Sequence, residues 1–179
     1  MSTFEETFAL TMAAPNPRSA IEALGLPNAR ARQPGVYAQG VVVLLSDDFA
    51  MDCFEPWPPF SNNRFAPIAY TALGDFILWD RQKNKVQYLD VQQAKLTKAA
   101  ETIDASFDEA FTRPEVVEDV LLRPHIEQIV RAKGALRYGD CFILSPWPMI
   151  GGSSRPENYS TGDARVYVNL VGQTHFADA

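Results

Sequence analysis

Two histidines, His125 and His175, and two cysteines, Cys53 and Cys141, are the side chains best suited to metal binding or nucleophilic chemistry. A zinc site would bring such residues together at spacings like CxxC or HExxH, and neither spacing occurs. His125 follows Pro124 in a helical stretch, and His175 lies in the last five residues, where chains fray by default. Cys141 could in principle act as a nucleophile with either histidine as its base. It sits inside Cys141-Phe142-Ile143-Leu144, however, an apolar run in which a thiol reads as core. A single long-range disulfide between the cysteines stays open, but two buried free thiols fit the composition better.

Other motifs are equally sparing. Gly151-Gly152-Ser153-Ser154 resembles part of a phosphate loop but lacks the Walker lysine and a G-x-G-x-x-G pattern, so it reads as a turn. The carboxylates Asp47 and Asp48 are explained by helix capping, and Asp75 and Asp140 by turns. No G-x-S-x-G elbow is present. The expectation is a binding protein rather than an enzyme, with no cofactor and no metal.

Aromatic side chains carry the better signal. Trp57 and Trp147 stand in the proline-flanked segments Pro56-Trp57-Pro58 and Pro146-Trp147-Pro148. A rigid aromatic on a loop makes a good interface anchor. The alternative, in which both tryptophans plug the ends of the core, is the commoner outcome. Asp47, Asp48, Asp52 and Glu55 lie near Trp57 in sequence and could steer a basic partner. Asp47, Asp48, Glu55, Trp57 and Trp147 are therefore the expected partner contacts.

These residues need a scaffold, and 179 residues with 46% hydrophobic and 21% charged content are enough for one full core. The formal net charge is −6 and the pI near 4.9, which repels phosphate backbones and anionic membranes. The N-terminus, Met1-Ser2-Thr3-Phe4-Glu5-Glu6, is acidic where a signal peptide would be basic, so a cytoplasmic location is expected.

Periodicity predicts a strand at Thr7–Met12 or a loose arm, a short helix at Ser19–Leu24, and a loop over 27–39 with a turn at Pro34-Gly35. Gly40–Leu45 reads as a buried strand. Ser46 is expected to cap a helix carrying Phe49, Cys53, Phe54 and Trp57 on one face. Ile68–Leu73, Phe76–Trp79 and Val86–Val91 predict an antiparallel meander, with Lys95–Lys98 as a fourth strand. One face of that sheet is expected to carry Tyr70, Ile77, Trp79 and Leu89. Phe107 and Phe111 mark a change to helical period, followed by Glu115–Lys133, which Pro124 should kink or divide. Gly134 is a natural C-cap, and Asp140–Leu144 reads as a strand. The β-branched content of Ala164–Gln173 favours a strand.

The last third carries a recognisable series: Tyr138-Gly139-Asp140, the Cys141–Leu144 strand, Pro146-Trp147-Pro148, Gly151-Gly152, Glu157-Asn158 and Val166–Gln173. This series resembles the domain at the end of bacterial type VI secretion immunity proteins, the kind paired with DNase effectors. Upstream, Gly40–Leu45, Ser46-Asp47-Asp48-Phe49, the Leu73-Gly74-Asp75-Phe76-Ile77-Leu78-Trp79 hairpin and Val86–Asp90 resemble the GAD-like domain that precedes it. The Gly-Asp-hydrophobic-Trp strand is also similar to the broader Smi1/Knr4-type immunity superfamily. The resemblance implies a helix at 164–173, against the β-branched signal. It further implies a GAD-like domain at 1–112, a C-terminal immunity module at 113–179, and a cytoplasmic protein that neutralises a nuclease toxin by stoichiometric occlusion.

The expected fold class is α+β, a mixed or antiparallel sheet covered by helices with the C-terminal module packed on the same body. Two other functions stay open. One is a small-molecule-binding domain or enzyme using the 145–159 loop. The other is a nucleic-acid-binding regulator using Arg18, Arg30 and Arg32, which the net charge disfavours.

Overall fold

A seven-stranded antiparallel sheet, wound strictly in chain order, forms the centre of the computed structural model, which describes residues 3–60, 63–147 and 150–176. Its strands are β1 (Leu10–Ala13), β2 (Gly35–Tyr37), β3 (Val42–Leu44), β4 (Phe65–Thr71), β5 (Phe76–Asp80), β6 (Lys85–Asp90) and β7 (Lys95–Ala100). A separate ribbon pairs β8 (Asp140–Leu144) with β9 (Tyr159–Asp163). The helices are α1 (Phe4–Thr7), α2 (Ala20–Ala23), α3 (Ile103–Ala105), α4 (Pro114–Asp119), α5 (Arg123–Lys133) and α6 (Ala164–Phe176). The α+β expectation is met, and the large sheet is purely antiparallel.

Both faces of the sheet are covered, which explains why β3 to β5 are continuous apolar runs rather than alternating ones. One face packs Val42, Leu44, Ile68, Ile77 and Trp79 against Phe4 of α1, Phe107, Phe111 and α5 residues Ile126 and Ile129. The other packs Val43, Tyr70, Phe76, Leu78 and Leu89 against Cys53, Phe54, Trp57 and α6. Tyr70 and Leu89 therefore lie opposite Ile77 and Trp79, not beside them. The register decides this: Tyr70 and Leu89 both pair with Phe76, and directly paired residues share a face. With two apolar faces, sequence alternation carries no label for either.

Other expectations change for similar reasons. The predicted turn at Pro34-Gly35 opens strand β2, which pairs with both β1 and β3. The N-terminal segment divides into α1, closed by a Thr3–Glu6 capping box, and β1 from Leu10. Ser46 caps no helix. Instead it forms an isolated bridge with Ser19, and single 3-10 turns at Met51–Phe54 and Pro58–Phe60 carry the aromatics. Prolines at 56, 58 and 59 bar an α-helix from continuing through Trp57, as expected, but the stretch ahead of them is not α-helical either. Pro124 starts α5 in its first turn, after Leu122 in the left-handed region (φ 51°) ends the preceding turn. Ala164–Phe176 is helical, as the resemblance implied and the β-branched content did not. Met1, Ser2 and Pro148, which entered the sequence reading, lie outside the described residues.

The β4–β5 hairpin shows why its Gly-Asp pair is needed. Gly74 has φ 83°, and a Cβ there would stand 2.6 Å from the Tyr167 ring, so the turn and α6 meet across a bare backbone. The Asp75 carboxylate accepts hydrogen bonds from the Val91 N–H (2.9 Å) and the Tyr88 hydroxyl (2.8 Å). Burial nevertheless pushes its pKa up to about 6, the two hydrogen bonds offsetting only part of that rise. A carboxyl raised on folding binds its proton more tightly in the native state. Its cost is absent below the unfolded pKa near 4, grows as pH rises, and is complete above about 6. Asp75→Asn should therefore flatten the fall in stability between about pH 4 and 7 by on the order of 3 kcal/mol. Urea melts across that range check it; an unchanged profile would assign the slope to other groups.

Candidate partner-binding surface

Helix α6 is seated by its inner side. Tyr167, Val168, Val171 and Gly172 are buried, while Val166 and Leu170, four residues apart, point outward and are 57% and 46% exposed. The seat is Trp57, whose indole N–H donates to the Val168 carbonyl at 2.9 Å. Gly172 lets the ring approach, since a Cβ there would lie 2.3 Å from the indole nitrogen. Trp57 is only 1% exposed, so it plugs the core rather than offering itself to a partner.

The 3-10 turn at 51–54 runs alongside α6, with the Asn169 amide donating to the Cys53 carbonyl at 3.4 Å. Between them lies a cleft of about 420 Å³. Asp52, Cys53 and Glu55 form one wall, and Arg165, Val166, Asn169 and Leu170 form the other. Asp52 and Glu55 are exposed. Cys53 forms the floor, and burial pushes its thiol up to about 12, which leaves it inert at neutral pH.

A second depression of about 280 Å³ adjoins the first at Arg165 and is lined by Asp48, Tyr138, Asp140 and Asp163, among others. Ser46 organises its rim. Its hydroxyl donates to Asp48 and receives the Tyr138 hydroxyl at 2.7 Å, while its N–H donates to the Tyr138 oxygen at 2.8 Å. The Ser46 hydrogen bond holds the Asp48 carboxyl below its ordinary pKa. Asp140 and Asp163 face each other directly across the β8–β9 ladder, where like charges are unfavourable. Burial opposes ionisation of Asp163, but hydrogen bonds from Arg165 outweigh it and keep the pKa below the ordinary value. Asp140 is raised, first by burial and then by Asp163. Two adjoining hollows thus meet at Arg165, the first holding the apolar pair of α6 beside Asp52 and Glu55 and the second lined by Asp48, Asp140 and Asp163.

Among the expected contacts, the fold brings Asp48 and Glu55 to these adjoining hollows. Asp47 turns away to Arg18 (3.0 Å) and to the Asn16 amide (2.7 Å). Trp147 is half-buried, edge-on to Tyr167 on the inner side of α6, and lines neither hollow. Sequence reading missed Val166, Leu170 and Arg165. Their signal was the four-residue spacing of Val166 and Leu170, masked by Val166, Val168 and Leu170 alternating as a strand would.

The other candidate chemistry is spent internally. Burial raises the Cys141 thiol well above its ordinary pKa, and both cysteines are free. His125 contacts the Tyr159 hydroxyl (3.2 Å) and His175 the Gln92 carbonyl (3.0 Å). Among the described residues, no group of three or more His, Cys, Asp or Glu side chains is placed to hold a metal ion. The arginines of the suspected basic cluster are paired: Arg18 with Asp47, Arg30 with Glu5, and Arg32 with Asp104 and Asp108. No described helix is long and apolar enough to cross a membrane.

Residues 100–175, the stretch that includes α4, α5, the β8–β9 ribbon and nearly all of α6, match the family described as T6SS immunity protein Tdi1, C-terminal. That match takes in one wall of the cleft, while the opposite wall lies upstream of it. No curated protein matches the chain significantly. Among solved structures, Atu4351 from Agrobacterium tumefaciens is similar at 14% identity, with a TM-score of 0.63 over 94% of this chain and 86% of that one. At that identity the likeness establishes a shared fold and nothing about partners.

Proposed function

We propose that this chain is an immunity protein that binds a cognate type VI secretion toxin and neutralises it by covering the toxin's working surface. The match of residues 100–175 to a type VI immunity C-terminal domain carries the reading. The net charge of −6 supports a basic partner, and nucleases commonly have basic substrate clefts, so a nuclease is the toxin we infer. Asp48 and Glu55 remain contacts in this reading, and the protein does no chemistry of its own. It works in the cytoplasm, with a GAD-like part over 1–112 supporting the immunity module at 113–179.

Co-expression with the toxin-like protein encoded beside this chain's gene tests it. The expected result is colony survival with intact chromosomal DNA and a stable complex on a sizing column. Death of cells in which this protein is abundant and folded would end the cognate reading for that pair.

A further inference from the structure

We infer that the cleft between the 51–55 segment and α6 docks one kind of occupant: a toxin segment that presents an apolar side chain flanked by lysine or arginine. This inference rests on the immunity reading and specifies which surface of the chain carries it.

Two observations point to that chemistry. Val166 and Leu170 are large aliphatic side chains left exposed on a helix whose inner side is already filled by Trp57 and Tyr167. Helical faces of globular proteins normally place such pairs inward, so a partner surface is the natural place for them. The cleft beside them, about 420 Å³, falls in the range of roughly 300–1,000 Å³ that binding clefts occupy.

Its margin selects the partner's charge. Asp52 and Glu55 are exposed on the facing wall, with no cation among the cleft residues except Arg165. Arg165 is already hydrogen-bonded to Asp163 at 3.4 Å, which partly neutralises it. In the adjoining hollow, which shares Arg165 with the cleft, Asp140 stands directly across the ladder from Asp163, an unfavourable like-charge pairing that a cation flanking the anchor would relieve. An apolar centre with an acidic margin is complementary to an apolar anchor with a basic surround. A second copy of this chain would bring the same acids face to face and is disfavoured by that repulsion. Nucleic acid is repelled by the same charge.

The test uses the full-length protein and a catalytically inactivated form of the toxin encoded by the neighbouring gene. Val166→Asp with Leu170→Asp should weaken the complex at least about thirty-fold, as loss of a central anchor does, and abolish rescue by the active toxin. Both side chains are exposed, so the fold should persist, as circular dichroism and the melting temperature would confirm. Asp52→Lys with Glu55→Lys should slow association about ten-fold or more and flatten its salt dependence. Val120→Asp, on an equally exposed aliphatic residue of the α4 region, should change neither.

Wild-type binding that persists unchanged in the cleft variants would overturn the docking site while leaving the immunity reading intact. No wild-type binding and no rescue would overturn both. A wild-type dimer that Val166→Asp with Leu170→Asp dissolves would assign the cleft to self-association and overturn the toxin-segment proposal.

Discussion

Trp57→Ala is expected to cost about 3–5 kcal/mol, the range for emptying a large buried aromatic site and a large share of the roughly 5–15 kcal/mol that holds an ordinary domain folded. Trp57 is 1% exposed and contacts Phe60 and Phe176 edge-on, with ring centroids 6.5 and 5.6 Å away. It also carries the hydrogen bond to Val168 that fixes the height of α6. Removing it leaves both a cavity and a helix without its seat. Because α6 forms one wall of the cleft, any binding at the proposed docking site should fall with stability rather than separately from it.

A second substitution tests the close approach of Gly172 to the indole. Gly172→Ala places a Cβ against the indole and should destabilise the wild-type protein. In the Trp57→Ala background the same change should cost little, because the obstructing ring is gone and alanine favours the helix by about 1 kcal/mol. Urea denaturation of the four proteins reads the coupling directly. Additive costs would show that Trp57 and Gly172 do not act on each other.

Arg32→Leu should produce the next largest loss, on the order of 3 kcal/mol. The Arg32 side chain is fully enclosed, and its guanidinium donates to Asp104 at 2.8 Å and Asp108 at 2.6 Å. It also lies over the Phe107 ring, 5.0 Å from the centroid. Asp108 in turn accepts the Phe4 N–H at 3.1 Å, so the arginine ties α1 and the 30–33 segment to the helical layer through one carboxylate. Leucine keeps much of the packing but leaves two acids side by side without their cation. Asp104 and Asp108 keep partial solvent access, 36% and 27%, which places the cost at the lower end for a broken buried pair. Combining Arg32→Leu with Asp108→Asn should recover part of the loss in denaturant melts. If it recovers nothing, the lost packing of Arg32 rather than its charge accounts for the cost.

The two layers of the sheet show where sequence reading succeeded and where it stopped. The meander from Ile68 to Lys98, a break in the 115–133 helical stretch at Pro124 and the cap at Gly134 depend on turn chemistry and local period, and all were legible in order along the chain. Short-range signals suffice because a turn or a cap is settled by a few neighbouring residues. The segment from Ser46 to Phe60 misled because its helical spacing was real, yet even ahead of the prolines expected to end a helix Ser46 bridges to Ser19 and only a 3-10 turn forms at Met51–Phe54.

Chemistry-bearing residues followed the same division. The acidic balance, a formal net charge of −6, is read from composition alone. Where Trp57 and Arg32 sit was fixed by contacts 72 to 111 residues away along the chain. Trp57 became a core plug because Val168 and Gly172 meet it, and Arg32 left the surface because Asp104 and Asp108 enclose it. The linear pattern therefore determined the class of elements and the sign of the surface. Only the packing of α6 against the 51–57 segment decided which side chains remain outside, because exposure is a property of what covers a residue and not of the residue.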